Sequence, residues 1–129
     1  MILDSSAIIA VIRREPTAMA ILPILAQAER VAVGAPTLVE TGIVLVARLG
    51  PAGRTLLVRF CDELAIEVIP FTAEHWPLAL NAFQRYGKGR HKAALNMGDC
   101  FAYACARAHG ARLLYIGQDF SHTDLAWTD

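Results

Sequence analysis

Apolar residues along this chain fall into short continuous runs separated by longer stretches with helical spacing. Met1-Ile2-Leu3, Val31 to Ala35, Ile66 to Phe71 and Arg112 to Ile116 are brief, bounded by turn residues, and read as buried strands. Between them, Ser5 to Arg14 carries Ala7, Ile8, Val11 and Ile12 at helical spacing, and Pro16 opens a second helix to about Glu29 with Pro23 as a kink. Pro36 falls in the first turn of a helix reaching Arg48. Ala52 to Leu64 is amphipathic, with Arg54 and Arg59 outward and Leu56, Leu57 and Phe60 inward. Thr72 to Tyr86 is helical again, with Trp76 and Phe83 assigned to the core and His75 to a solvated first turn. Asn96 to Ala106 begins a helix of small and apolar residues ending at Gly110, the composition of a helix packed on all sides. A short segment, Leu125 to Trp127, closes the chain. This alternation predicts an α/β fold, a mostly parallel central sheet with helices on both faces.

Composition narrows the function classes. A chain of 129 residues supports one domain, taken as 1–129. Hydrophobic residues make up 55% and charged residues 19%, which excludes a disordered chain. A formal charge of +0 excludes a protein that coats nucleic acid through bulk charge, and leaves room for a local basic patch. Cys61, Cys100 and Cys105 form no CxxC pair and read as small core residues in a reducing, cytoplasmic setting. The first residues lack a basic region, and Leu38 to Leu49 is interrupted by Glu40 and Arg48, so neither a signal peptide nor a membrane span is expected.

Four acids stand in apolar surroundings. Asp4 and Asp119 follow predicted strands, while Glu40 and Asp99 fall in the first turns of helices. Glu40 has Ile43, Val44 and Ala47 one turn on, which places it on the face expected to be buried. Each acid alone is explained as a helix cap or a first-turn residue favoured by the helix dipole. In a parallel sheet, however, all four occupy the carboxyl edge, where ligands bind. Clustered carboxylates repel and call for a cation, and oxygen ligands without Cys or His select Mg²⁺ or Mn²⁺ over zinc. Such a site suits phosphodiester cleavage. The run from Arg85 to Lys92 around Gly87 and Gly89 is a flexible basic loop able to contact phosphates, or a plain solvated loop. His122 has no second His or Cys at ligand spacing.

Asp4-Ser5-Ser6, Glu40 in an apolar helix, Gly98-Asp99-Cys100-Phe101-Ala102, and Gly117-Gln118-Asp119-Phe120 after the last strand together resemble the PIN domain over essentially the whole chain. More narrowly, Gly87-Lys88-Gly89-Arg90-His91 followed by Leu95-Asn96-Met97-Gly98-Asp99 is similar to toxins of VapBC-type toxin-antitoxin pairs. The resemblance implies a PIN-like three-layer sandwich and a Mg²⁺- or Mn²⁺-dependent endoribonuclease, inhibited by a small VapB-like antitoxin and usually a homodimer. It gives Asp4, Glu40 and Asp99 the roles of metal-binding acids, Asp119 that of the fourth, and Ser6 that of a hydrogen-bonding support for Asp4. Asn96, one turn before Asp99, lines the same pocket in this reading, and Lys88, Arg90 and Lys92 contact RNA. Many PIN domains follow the last strand with Thr or Ser and then Asp or Asn, whereas this chain has Tyr115-Ile116-Gly117-Gln118 before Asp119. The fourth acid is therefore Asp119 or Asp124, or both at different metal occupancies. The apolar excess points to protein contacts, and the resemblance implies both a dimer face and an antitoxin groove, the latter among the first helices.

Two other classes compete. A non-catalytic PIN-like module would bind nucleic acid or protein without cutting, although it would be free to lose the acids. A phospho-acceptor receiver also puts Asp at strand ends, but needs an acidic pair by the first strand and a Lys after the last, and no Lys follows Lys92.

Overall fold

Successive side chains of a strand point to opposite faces, and this chain buries both. In the computed structural model, which describes residues 1–126, β1 (Ile2–Leu3) sends Ile2 into one apolar cluster and Leu3 into another. β2 (Ala32–Gly34) divides Ala32 from Val33 in the same way, and β4 (Leu113–Leu114) divides Leu113 from Leu114. β3 (Glu67–Ile69) lies at the sheet edge and buries only Ile69. All pairings are parallel, in the order β3-β2-β1-β4.

That order dictates where the helices go. From β1 to β3 the chain steps one way across the sheet, then returns past β1 to reach β4. Right-handed crossovers therefore put the helices of the first two connections on one face and those of the last on the other. α1 (Ser5–Ile12), α2 (Leu22–Gln27), α3 (Ala35–Leu49) and α4 (Pro51–Glu63) pack around Leu3, Val33 and Leu114. α5 (His75–Tyr86) and α6 (Met97–Ala108) pack on Ile2, Ala32 and Leu113. The result is the expected three-layer α/β sandwich. No helix among the described residues is long and apolar enough to cross a membrane.

Several local expectations are corrected. The stretch from Pro16 is not one kinked helix but a 3-10 turn, Pro16–Ala20, followed after Ile21 by α2. Pro23 falls in the first turn of α2, where a missing N–H leaves no bond unmade, so it helps begin a helix instead of bending one. Trp76 and Phe83 are not core residues: they are 58% and 37% exposed. The buried positions of α5 are His75, Ala79, Ala82 and Tyr86, spaced three or four apart along the face that packs on α6, and Trp76 and Phe83 each fall one position off that face. His75 is correspondingly not solvated but buried. Cys100 and Cys105 are buried as expected and Cys61 partly so, and all three are free thiols. Leu125 packs against the α5–α6 core, while Trp127 lies outside the described residues.

Candidate active site

Strand order reverses at β1, with β2 and β3 to one side and β4 to the other, and the crevice beyond the carboxyl ends of β1 and β4 is where such sheets bind ligands. Asp4 is the first residue past β1 and is buried. It caps α1: one carboxylate oxygen, Oδ2, accepts from the Ser6 N–H at 3.1 Å and from the Ser6 hydroxyl at 2.6 Å. The other oxygen, Oδ1, is buried with no partner. Burial raises the Asp4 carboxyl above its ordinary range, the bonds from Ser6 oppose this, and the charge of Glu40 adds to the rise. Ser6 also accepts from the Ile116 N–H at 3.0 Å, so one hydroxyl ties the exit of β1 to that of β4.

Asp99 reaches the crevice from the start of α6. Asn96 and Asp99 form a reciprocal cap, in which Asn96 Oδ1 accepts from the Asp99 N–H at 2.9 Å and Asp99 Oδ2 accepts from the Asn96 N–H at 3.0 Å. Asn96 thus orients Asp99 by fixing the helix start. The Asp99 carboxyl is pushed up to about 7, mainly by burial, against the Asn96 bond, and further by the charges of Asp4, Asp119 and Glu40. The charges of the other three acids therefore all reach Asp99.

Glu40 is half-buried, but not for the expected reason. Ile43 is 65% exposed, Ala47 is exposed, and Val44 is only partly covered, so the apolar flank of α3 faces outward. Glu40 turns to α6 instead, with its carboxylate lying over Gly98. A Cβ placed on Gly98 would fall 1.8 Å from Glu40 Oε2, so only glycine leaves room for that carboxylate beside Asp99. Asp119 follows Gly117, whose φ of +103° turns the chain after β4, and its exposed side chain makes no capping bond to the 3-10 turn Phe120–His122. Of the two candidates for the fourth acid, Asp119 is the one whose charge reaches Asp99. Asp124 instead accepts from the Tyr103 hydroxyl at 2.9 Å and pairs with Arg107 at 3.6 Å and Arg85 at 3.8 Å.

The donor set fits a hard divalent cation. It consists of carboxylate oxygens alone, one of them buried and unpartnered, and burial, with the charges of the neighbouring acids, pushes the Asp99 carboxyl up to about 7. Among the described residues, the three His, Cys, Asp or Glu side chains with ligand atoms all within 4.8 Å of one another lie elsewhere, at His75, Cys105 and His109. Neither that cluster nor the space at Gly98 has a local sequence signal, since the first joins side chains from separate parts of the chain and the second depends on where the Glu40 carboxylate lies.

The basic stretch is more ordered than a flexible loop. Lys88 N–H donates to Leu95 O at 2.9 Å, Leu95 N–H to Tyr86 O at 2.9 Å, and Arg90 N–H to Gly87 O at 2.9 Å, closing the turn immediately before Asn96. Arg85 is engaged with Asp124, whereas Lys88, Arg90 and Lys92 are exposed. Arg90 leans over the Phe83 ring at 5.8 Å.

Comparison with known proteins agrees with this architecture. The PIN domain family model matches residues 1–125. Ribonuclease VapC36 of Mycobacterium tuberculosis is 48% identical over 126 residues, covering 97% of this chain and 91% of that protein. Ribonuclease VapC30 of the same species is 36% identical, covering 98% and 96%. Among solved structures, M. tuberculosis VapC20, described as a sarcin-ricin loop cleaving toxin, superposes with a TM-score of 0.74 at 20% identity, covering 93% of this chain and 92% of that one. A toxin-antitoxin complex from Klebsiella pneumoniae gives a TM-score of 0.71 at 18% identity, covering 98% and 95%. With its strand order, its carboxylate crevice and these relatives, the chain belongs to the PIN-domain family, among the VapC ribonucleases.

Proposed function

We propose that this protein is a divalent-cation-dependent endoribonuclease, the toxin of a type II toxin-antitoxin pair, which hydrolyses RNA phosphodiester bonds at Asp4, Glu40, Asp99 and Asp119. The observation that carries the reading is the gathering of carboxylates at the sheet edge, with Asp4 Oδ1 buried and unpartnered and the Glu40 carboxylate lying over Gly98 beside Asp99, whose own carboxyl is pushed up by burial and by the charges of the other three. Acids so placed are functional candidates because holding them together is unfavourable without a cation. In this reading Asp4, Glu40 and Asp99 hold Mg²⁺ or Mn²⁺. When bound, that cation lowers the pKa of an attacking water and screens charge on the phosphate. Ser6 holds the Asp4 carboxylate in one orientation, Asn96 does the same for Asp99, and Asp119, exposed and uncapped, positions the cation or accepts a hydrogen bond from the attacking water. Lys88, Arg90 and Lys92 contact the RNA backbone.

The test is cleavage of a mixed tRNA and rRNA pool by antitoxin-free protein with Mg²⁺, with Mn²⁺ and with EDTA. Cutting with either metal and none with EDTA is the expected result. Absence of cutting by folded, inhibitor-free protein under every condition would favour the binding module. Separately, replacing Lys88, Arg90 and Lys92 by Ala should weaken RNA binding and flatten its salt dependence, by a slope of roughly 0.7 per phosphate contact on single-stranded RNA. An unchanged slope would remove those side chains from the interface.

A VapB-like antitoxin and a second copy of the chain complete the proposed assembly. Exposed apolar surface supports a protein partner: a groove of about 900 Å³ between α3 and α4 is lined by Val39, Ile43, Val46 and Val58, among others.

A further inference from the structure

The end of α6 away from Asp99 carries chemistry that the carboxylate crevice does not use. His75 from the first turn of α5 meets Cys105 of α6 and His109, the residue capping its C-terminus, and one ligand atom of each lies within 4.8 Å of the others. Cys105 and His109 are four residues apart and share a helix face. Cys105 is six residues beyond Asp99, about 9 Å along the axis and on a different side of the helix, so the two sites are separate.

His75 is the informative member. It is 4% exposed, its ring stacks on Phe71 at 5.4 Å, and its Nδ1 lies 2.9 Å from both the backbone nitrogen and the hydroxyl of Thr72. Its other nitrogen, Nε2, is buried and has no hydrogen-bond partner. A buried polar atom without a partner bears the desolvation of that group uncompensated, and among the described residues His75 shares that condition with Asp4 Oδ1 and Thr37 Oγ1. Cys105 is buried against the end of β2, its Sγ 3.5 Å from where a Cβ on Gly34 would lie. His109 is exposed and gives the cluster access to solvent.

We propose that His75 Nε2, Cys105 and His109 bind a borderline-soft divalent cation, with Zn²⁺ the best fit. Two imidazoles and a thiolate suit zinc, whereas the carboxylate crevice suits harder ions. Donor atoms around a tetrahedral zinc lie roughly 3.3–3.6 Å apart, so the cluster must contract slightly, and the exposed His109 side chain is free to swing in. Ligation through Nε2 needs the ring proton on Nδ1. The Thr72 hydroxyl accepts it there, as outer partners do for metal-binding histidines, and the Thr72 N–H gives up its bond. The Cys105 thiol proton leaves to solvent, and water fills the fourth position beside His109. The bound ion pins the start of α5 to the end of α6.

Co²⁺ added to the metal-free full-length chain is the probe. One equivalent should produce a thiolate-to-cobalt charge-transfer band with tetrahedral ligand-field bands, all abolished by Zn²⁺, and Zn²⁺ alone should raise the melting temperature. Cys105→Ala and His109→Ala should lose the bands, and His109 is exposed, so that variant is expected to fold normally by circular dichroism. Cys61→Ser, Cys100→Ser and Asp99→Asn should retain them. A spectrum without thiolate character, bands that survive Cys105→Ala, or bands that vanish with Asp99→Asn would overturn the proposal.

Discussion

Asp99→Asn should lower RNA cleavage at least about 100-fold while leaving the fold intact, because it removes a proposed cation ligand but keeps the oxygen that accepts from the Asn96 N–H. The same substitution reads out in stability. The Asp99 carboxyl is raised from 3.8 to about 7, so the folded chain keeps a proton there after the unfolded chain has lost it. Its contribution is fully present below about pH 4 and is lost as pH rises through about 7. Metal-free protein should therefore melt at progressively lower temperature across that window, with Asp4, also raised, acting in the same direction. Asp99→Asn should flatten the decline and raise the melting temperature at pH 8, and Mg²⁺ should stabilise the parent more than the variant. Thermal melts from pH 4 to 8 with and without Mg²⁺ measure this. Full cleavage by a Mg²⁺-saturated variant would remove Asp99 from the site.

Gly98→Ala separates the site from the scaffold in the opposite way. The added methyl would meet the Glu40 carboxylate at 1.8 Å, and that carboxylate is the end of a flexible side chain, so Glu40 moves and the backbone stays. Alanine is also the better helix former, by up to about 1 kcal/mol in a helix interior. We expect unchanged or higher thermal stability together with cleavage reduced roughly 10- to 100-fold, the scale seen when the surroundings of a metal ligand are disturbed. A double-mutant cycle identifies the route: in a Glu40→Ala background, Gly98→Ala should have almost no further effect. An equal loss in both backgrounds would place the damage at Asp99 or the α6 terminus instead.

The sequence disclosed the strands, most helices and the four acids, because strands buried on both faces read as unbroken apolar runs and an acid in such a run is conspicuous. It disclosed less about which helical faces are buried. Around Glu40 the spacing places Ile43, Val44 and Ala47 on the buried side, yet Ile43 and Ala47 face solvent and Val44 is only partly covered, since an exposed apolar flank has the same pattern as a core. Trp76 misled for the same reason. His75 was missed from the other side, being a polar residue whose burial depends on Phe71 and on α6, which no local window contains. Nor does any local window show that Asp124 is engaged by Tyr103, Arg85 and Arg107.

The two-residue strand β1 sets a phase as well as a position. Ile2 and Leu3 feed opposite cores and Asp4 begins where they stop, so inserting or deleting one residue before Asp4 would exchange the two cores' side chains and carry the acid off the edge together. Substitutions at Ile2 or Leu3 are graded injuries, whereas a change of chain length there has no mild version. A mutational scan that includes indels should find this N-terminal segment tolerant of aliphatic exchange and closed to any shift of frame along the strand.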